Sequence, residues 1–246
     1  MNIGLVLIGD ELLSGKRQDK HFAHMREVLA ARGLDIAWVR IVGDERERLT
    51  RTLRETFASG DIVFSFGGIG GTPDDLTREC AAAALGRPIE RHPEAVAILE
   101  ERFGAHAYPL RIRMAELPAG ATLIPNPINR IPGFSLGDHH FVPGFPNMAW
   151  PMAEQVLDTR YAHLFDATPP QEHRLCVDGA QESQLIPLME AVLAEHPGLK
   201  LSSLPNTEQR NQIELGVRGR AAQARSALDQ LQNGLDTLGL RWRRLD

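Results

Sequence analysis

The sequence is poor in the features that announce several large protein classes. It has two cysteines, Cys80 and Cys176. A single pair so far apart supports neither a disulfide framework nor a Cys-based zinc motif. No apolar run is long enough to span a bilayer. There is no excess of positive charge: 27 Lys and Arg against 32 Asp and Glu give a net charge of −5. That excludes a general binder of nucleic-acid backbones, which is ordinarily basic. Internal repeats and low-complexity segments are also missing. The opening "MNIGLVLIGDELL" lacks a basic n-region and breaks at Gly-Asp, so it reads as a buried strand, not a signal peptide. The expectation is a cytoplasmic protein with no membrane and no nucleic-acid partner.

What is present is alternation. Continuous apolar runs at 3–9, 35–43 and 61–68 read as strands, those at 3–9 and 61–68 as covered on both faces. Segments 19–33, 44–60 and 73–86 carry apolar residues at helical spacing or end on a Gly stop. Such alternation predicts parallel βαβ units in a wound α/β sheet. After a helix at 92–104 come short strands near 120–126, around "GFSLGD" and at 139–144. A helix at 146–165 closes the domain, and Pro151 predicts a kink or a later start. "DATPPQE" (166–172) reads as a linker. The remainder reads β-α-β-β-α-β, the split-βαβ pattern, without the G-x-x-G loop of a KH-type RNA binder. The expected fold is α/β, a wound domain of parallel βαβ units over 1–166, plus a small α+β domain over 172–246.

Three motifs sit where the predicted parallel strands end. "GDELLSGK" (9–16) superficially resembles a P-loop. It has five residues between Gly9 and Gly15 where a P-loop has four, and Arg17 stands where Ser or Thr would hold magnesium. What remains is a strand end carrying Asp10, Glu11 and Ser14. In "VGDE", Asp44 opens a helix, and capping with Glu47 in a loose capping box is the plainer reading. "GGIGGTPDD" (67–75) has plainer readings too: Thr72 as N-cap, Pro73 at the first helical position and Asp75 as the acid of a capping box. Capping alone does not need Gly67, Gly68, Gly70 and Gly71. Four glycines point to a bent backbone or one closely approached by a ligand, for which a phosphate at the helix N-terminus is the economical candidate. Strand C-terminal ends are where open α/β sheets bind ligands. Carboxylates beside a phosphate pocket call for a divalent cation, Mg²⁺ or similar, bridging the two. The metal candidates are Asp44, Asp74 and Asp75, with Asp10 or Glu11 assisting. The histidines read as weaker evidence: His21 and His24 as a surface pair on a helix, His139 and His140 as neighbours pointing to opposite faces of a strand.

Taken in order, "GDELLSG", "VGD", "GGIGGTPDDLT", "PNPINRIPGF" and "VPGFP" resemble the molybdopterin-binding (MoaB/Mog-like) domain, in the form at the N-terminus of CinA proteins. The resemblance covers about residues 1–165, and the second domain looks like the small middle domain of CinA proteins. The deamidase domain of full-length CinA has no counterpart in these residues. The resemblance implies a three-layer α/β/α fold with a mostly parallel sheet and a small phosphorylated ligand, either molybdopterin or ADP-ribose and related nucleotides, with metal-dependent pyrophosphatase activity in the CinA branch. By motif, Asp44 and Asp75 match acidic residues important in Mog-like enzymes and are the catalytic candidates. Gly67, Gly68, Gly70 and Thr72 match the anion-binding loop, and Pro143, Gly144 and Pro146 the turn bordering the site. Gly9, Asp10, Glu11, Ser14, Gly71 and Asn126 complete the ligand-binding set. A role for K⁺ and a homo-oligomer, dimer or trimer, are also expected. Departures from the family pattern are Gly71 for a proline, His21 for an asparagine, and Asn129, Arg130 and Ile131 for small residues. Arg130 is expected to add a cation beside the pocket. The leading expectation is metal-assisted hydrolysis of a nucleotide-sugar pyrophosphate such as ADP-ribose. The alternatives are a non-catalytic molybdopterin- or nucleotide-binding module and molybdopterin adenylylation.

Overall fold

The computed structural model describes residues 2–206 and 212–245. Two compact units divide the chain, Met1–Phe165 and Asp166–Asp246. The first contains β1 (Ile3–Ile8), α1 (Asp10–Leu13), α2 (His21–Ala30), β2 (Ile36–Val42), α3 (Arg46–Ala58), β3 (Ile62–Phe66) and α4 (Thr77–Leu85). It continues with β4 (Ile89–Arg91), α5 (Pro93–Phe103), β5 (Glu116–Pro118), β6 (Thr122–Ile124), β7 (Gly133–Leu136), β8 (His139–Val142) and α6 (Pro146–Arg160). The second contains β9 (Gln171–Asp178), α7 (Glu182–Glu195), β10 (Lys200–Pro205), β11 (Gln212–Gly219), α8 (Ala221–Thr237) and β12 (Arg241–Arg244). None of the described helices is long and apolar enough to cross a membrane.

In the first unit the strands order as β2-β1-β3-β8-β7-β6. The first four are parallel, and the β8–β7 and β7–β6 pairings are antiparallel. The two-residue alternation of a strand sends Ile3, Leu5 and Leu7 to one face and Val6 and Ile8 to the other. The first face packs with Met25 and Leu29 of α2 and Met152 and Leu157 of α6. The second packs with Leu49 and Leu53 of α3 and Cys80 and Ala81 of α4. Two apolar layers on one sheet make the expected three-layer domain. The second unit is an antiparallel sheet ordered β10-β11-β9-β12, with its helices' apolar side chains packed on Leu175, Val177, Ile213 and Leu215.

Several boundaries differ from the sequence reading. The helix expected from residue 73 begins only at Thr77, because residues 70–76 wind into a turn tied by Asp75. α6 starts at Pro146 and runs through Pro151, so the later start is not observed. α1 and the β4–β5 ribbon were not separated from their surroundings in the sequence.

His139 and His140 do face opposite sides of β8. The Ser65 hydroxyl lies 2.8 Å from His139 Nε2. Tyr161 OH donates to Asp138 Oδ1 at 2.7 Å, leaving its oxygen to accept from His140 Nε2–H at 2.7 Å, while Ser135 Oγ donates to His140 Nδ1 at 2.8 Å. Burial pushes His139 well below the usual imidazole range and His140 down to about 3. Both are neutral in the fold, whereas in the unfolded chain they protonate below about pH 6.5. The stability that depends on their neutrality is complete above that pH and is lost as pH falls toward 3, each contributing roughly 1.4 kcal/mol per pH unit while it titrates. Urea midpoints should therefore drop between pH 7.5 and pH 5, and the drop should be smaller in His140→Gln, whatever that variant's stability at pH 7.5.

Candidate functional site

Because β2, β1, β3 and β8 are adjacent and parallel, their C-terminal ends lie side by side. The residues that follow them, Gly9, Gly43 and Asp44, Gly67 and Gly68, and Pro143 and Gly144, meet at one edge of the sheet. There all of them but Gly43 border a cleft of about 450 Å³.

Two of these ends are locked to each other. Asp10 N donates to Asp44 Oδ2 at 3.0 Å, and Asp44 N donates to Asp10 Oδ1 at 3.1 Å. Gly43 makes room, since a Cβ there would collide with Asp10 Oδ1. Asp44 is not the helix cap. Glu45 takes that place, its carboxylate accepting from Glu47 N and Arg48 N at 2.9 Å each. The Asp44 carboxyl is thus left for the cleft. Partial burial pushes its pKa up, and the charges of Asp10, Glu11 and Asp74 push the same way against the Asp10 amide.

The glycine loop is held from behind. Thr77 Oγ1 donates to Gly67 O at 3.1 Å, Thr77 N to Gly68 O at 3.0 Å and Arg78 Nη2 to Gly70 O at 2.7 Å. Among the described residues, the amides of Gly68, Ile69, Gly70 and Gly71 have no protein acceptor. Most of the glycines are required by the loop itself. Gly67 and Gly68 have φ of 110° and 67°, and added Cβ atoms would strike Ile8 O and Thr77 Oγ1. At Gly70 a Cβ would strike the Asp75 carboxylate. Gly71 differs: an added Cβ would meet nothing nearer than Met114 Cγ at 3.5 Å, an ordinary contact. Thr72 and Asp75 do not cap α4. Thr72 N and Oγ1 both donate to Asp75 Oδ2, at 2.9 and 2.5 Å, closing the turn before the helix.

The facing wall is mostly apolar, with Ile131, Pro132, Phe145 and Met148. Asn126 is buried within it. Its Oδ1 accepts from Ile128 N at 3.0 Å and Asn129 N at 3.3 Å, while Nδ2 has no partner among the described residues. Arg130 adds no cation here. It turns to Glu101, with two 2.7 Å contacts, and does not line the cleft.

The structure brings Gly9, Glu11, Asp44, Gly67, Gly68, Gly70, Gly71, Thr72, Asp74, Asp75, Asn126, Pro143 and Gly144 to this cleft. Asp10 reaches it only through Asp44. Ser14 lies outside, carried into solvent at the end of α1. Pro146 lines a second cleft of about 450 Å³, which shares Ile8, Glu11, Arg17 and Gly144 with the first. Among the described residues, no three His, Cys, Asp or Glu side chains are grouped to hold a metal ion, so Asp44, Asp74 and Asp75 do not form a ready-made cage. His21 is no surface residue. It is buried against Phe66, accepts from Trp150 Nε1 at 3.3 Å and donates through Nε2 to Gly144 O at 3.2 Å. Its ring braces the turn that borders the cleft, and burial lowers its pKa. His24 instead pairs with Glu154 at 2.9 Å. Arg17, Gly43 and Arg78 were missed as site residues. Gly43, in "VGD", was the one with a readable signal.

Residues 4–163 match the family model described as "Probable molybdopterin binding domain". The chain is 34% identical over 209 residues to a CinA-like protein of Citrifermentans bemidjiense, covering 82% of this chain and 50% of that protein. It is 32% identical over 227 residues to a CinA-like protein of Geotalea uraniireducens, covering 89% and 54%. It therefore spans about half the length of these curated relatives. The crystal structure of the protein CinA with unknown function from Thermoplasma acidophilum matches with a TM-score of 0.59 and 26% identity, over 64% of this chain and 96% of that one.

Two outcomes follow from the geometry of the cleft. Gly68→Ala should lose at least about 1–2 kcal/mol in urea unfolding, the penalty of a left-handed non-glycine residue, whereas Gly71→Ala should stay within about 1 kcal/mol of the parent. Asp44 has a raised pKa in the fold, so its ionised form is a net burden above that pKa, and the burden is relieved as pH falls through it. Asp44→Asn should accordingly raise Tm at pH 7 in the absence of ligand, and the gain should shrink in acid.

Proposed function

The chain belongs to the family of the "Probable molybdopterin binding domain" and is CinA-like, and from that premise we propose that its cleft binds a small phosphorylated ligand and hydrolyses a nucleotide-sugar pyrophosphate such as ADP-ribose. One observation carries this reading: among the described residues, the amides of Gly68, Ile69, Gly70 and Gly71 have no protein acceptor at the edge of a cleft rimmed by Asp44, Asp74 and Asp75. Oriented amides at a strand end and helix start are suited to phosphate oxygens. The adjoining cleft offers room for the second end of a two-ended ligand.

A divalent cation fits this donor set on one condition. Asp44 Oδ2 and Asp75 Oδ2 already accept amide hydrogens, which leaves one oxygen of each carboxylate. Mg²⁺ commonly takes one or two carboxylates and completes its shell with phosphate oxygens and water. The absence of a three-residue cage among the described residues agrees with a cation that arrives with the ligand. Such an ion would stabilise charge developing on the attacked phosphorus and activate water. The chain's own part is to hold the phosphate on the loop amides and keep Asp44 and Asp75 turned toward it. Water adds to phosphorus, the bridging P–O bond breaks, and ADP-ribose gives AMP and ribose 5-phosphate, with release of two protons when both phosphomonoesters are dianions. K⁺ as a second ion, a homo-oligomer (dimer or trimer) and a cytoplasmic setting belong to the same proposal.

The absence of a three-residue cage among the described residues is equally consistent with a second reading: a molybdopterin- or nucleotide-binding module without turnover. The two separate in one experiment. ADP-ribose, NAD, FAD, ATP and molybdopterin are tested with and without Mg²⁺ and K⁺, following thermal shift and release of product phosphomonoesters. Hydrolysis of ADP-ribose that needs Mg²⁺ and falls by roughly two orders of magnitude or more in Asp44→Asn and Asp75→Asn is the expected outcome, the scale of losing a few kcal/mol of charge stabilisation. Wild-type rates in both variants would overturn the mechanism. A rise in Tm without product would establish binding alone.

A further inference from the structure

The geometry points to Thr77 and Arg78 as the positioning residues of the phosphate cradle: they hold the carbonyls behind the loop and so aim its amides into the cleft. This inference rests on the phosphate-binding reading of the same site.

A trans peptide is planar, and its C=O and N–H point in opposite directions. The peptides of this loop are trans. Gly67 O is held by Thr77 Oγ1, so the Gly68 N–H of that peptide faces the other way. Gly68 O is held by Thr77 N, which turns the Ile69 N–H outward. Gly70 O is held by Arg78 Nη2, which turns the Gly71 N–H outward. Three carbonyls anchored on the α4 side thus give three amides directed away from it, and none of those amides has a protein acceptor among the described residues.

Arg78 contributes more than geometry. It is 5% exposed, and among the described residues its hydrogen-bond partners are carbonyls, not carboxylates: Gly70 O, Arg113 O and Glu116 O. Its Nε is buried without a partner among the described residues. The carboxylates of Asp75, Glu79 and Glu116 lie near enough to offset part of its charge, and burial leaves the remainder poorly solvated directly behind the loop. The remaining field favours an anion on the opposite side of the Gly70–Gly71 peptide.

A purely structural staple, joining α4 to residues 113–116, would predict loss of stability and unchanged affinity in the folded fraction. The positioning role predicts a phosphate-dependent loss of affinity and a change at specific amides. The test uses the whole ¹⁵N-labelled chain, titrated with inorganic pyrophosphate and, as a phosphate-free control, adenosine. In the parent, the Gly68, Ile69 and Gly71 amide resonances should shift and saturate with pyrophosphate but not with adenosine. Arg78→Met should lose the Gly71 response and at least tenfold in pyrophosphate affinity. Thr77→Val should lose the Gly68 response, and Thr77→Ser, which keeps the hydroxyl, should restore it. The threonine pair keeps the test decisive if Arg78→Met does not fold. Folded Arg78→Met or Thr77→Val with parental amide shifts and affinity would overturn the inference while leaving phosphate binding intact. No response of the parent loop to pyrophosphate would instead overturn the phosphate reading itself.

Discussion

The position of β1 between β2 and β3 is the constraint on which the site depends. A six-residue strand buried on both faces can sit only inside a sheet with apolar layers above and below it. Its two neighbours run parallel to it, so each βα connection leaves from the same edge. Three loops separated by tens of residues are thereby made neighbours. The reciprocal Asp10–Asp44 bonds and the bond from Gly67 N to Val142 O, 3.0 Å long, then fasten adjacent loops to one another. Hydrophobic burial sets the location, and a small number of backbone–side-chain bonds sets the detail.

The carboxylates around the cleft place like charges near one another. Asp44 has a raised pKa, chiefly from partial burial and further from the charges of Asp10, Glu11 and Asp74. A fold selected only for stability would replace some of them by neutral groups. Opposed to this negative rim are the free loop amides and the Arg78 guanidinium. The cleft therefore carries a separated pair of fields, which suits a ligand and cation together better than either alone.

Periodicity and strand-end logic were enough to recover the parallel sheet and the convergence of the three motifs, while the three layers came with the family resemblance. They failed where two local interactions of similar strength compete. Asp44 and Glu45 are both adequate caps, and nothing in "VGDERE" says that Asp10, 34 residues away, will claim the first and leave the second to the helix. Thr72, Pro73 and Asp75 fit a helix start, but Thr77 wins because its amide and hydroxyl can satisfy two carbonyls of the glycine turn. His21 was misjudged because its burial depends on Phe66 and Trp150, which helical spacing cannot reveal. Arg78 had no signal at all, since an arginine in a helix ordinarily reads as solvated. Four glycines suggested a ligand, yet Gly67, Gly68 and Gly70 answer to the loop's own packing, so only part of that inference survives.

The backbone bonds behind the glycine turn have a consequence for how a ligand is met. They join the loop to the first residues of α4, so the conformational entropy of the loop is surrendered when α4 forms and not at the encounter. Recognition should then resemble entry into a rigid mould, with little slow rearrangement after contact. Tightness of binding becomes linked to the integrity of one helix start: fraying of the first turn of α4 would blur the mould long before the sheet itself came apart.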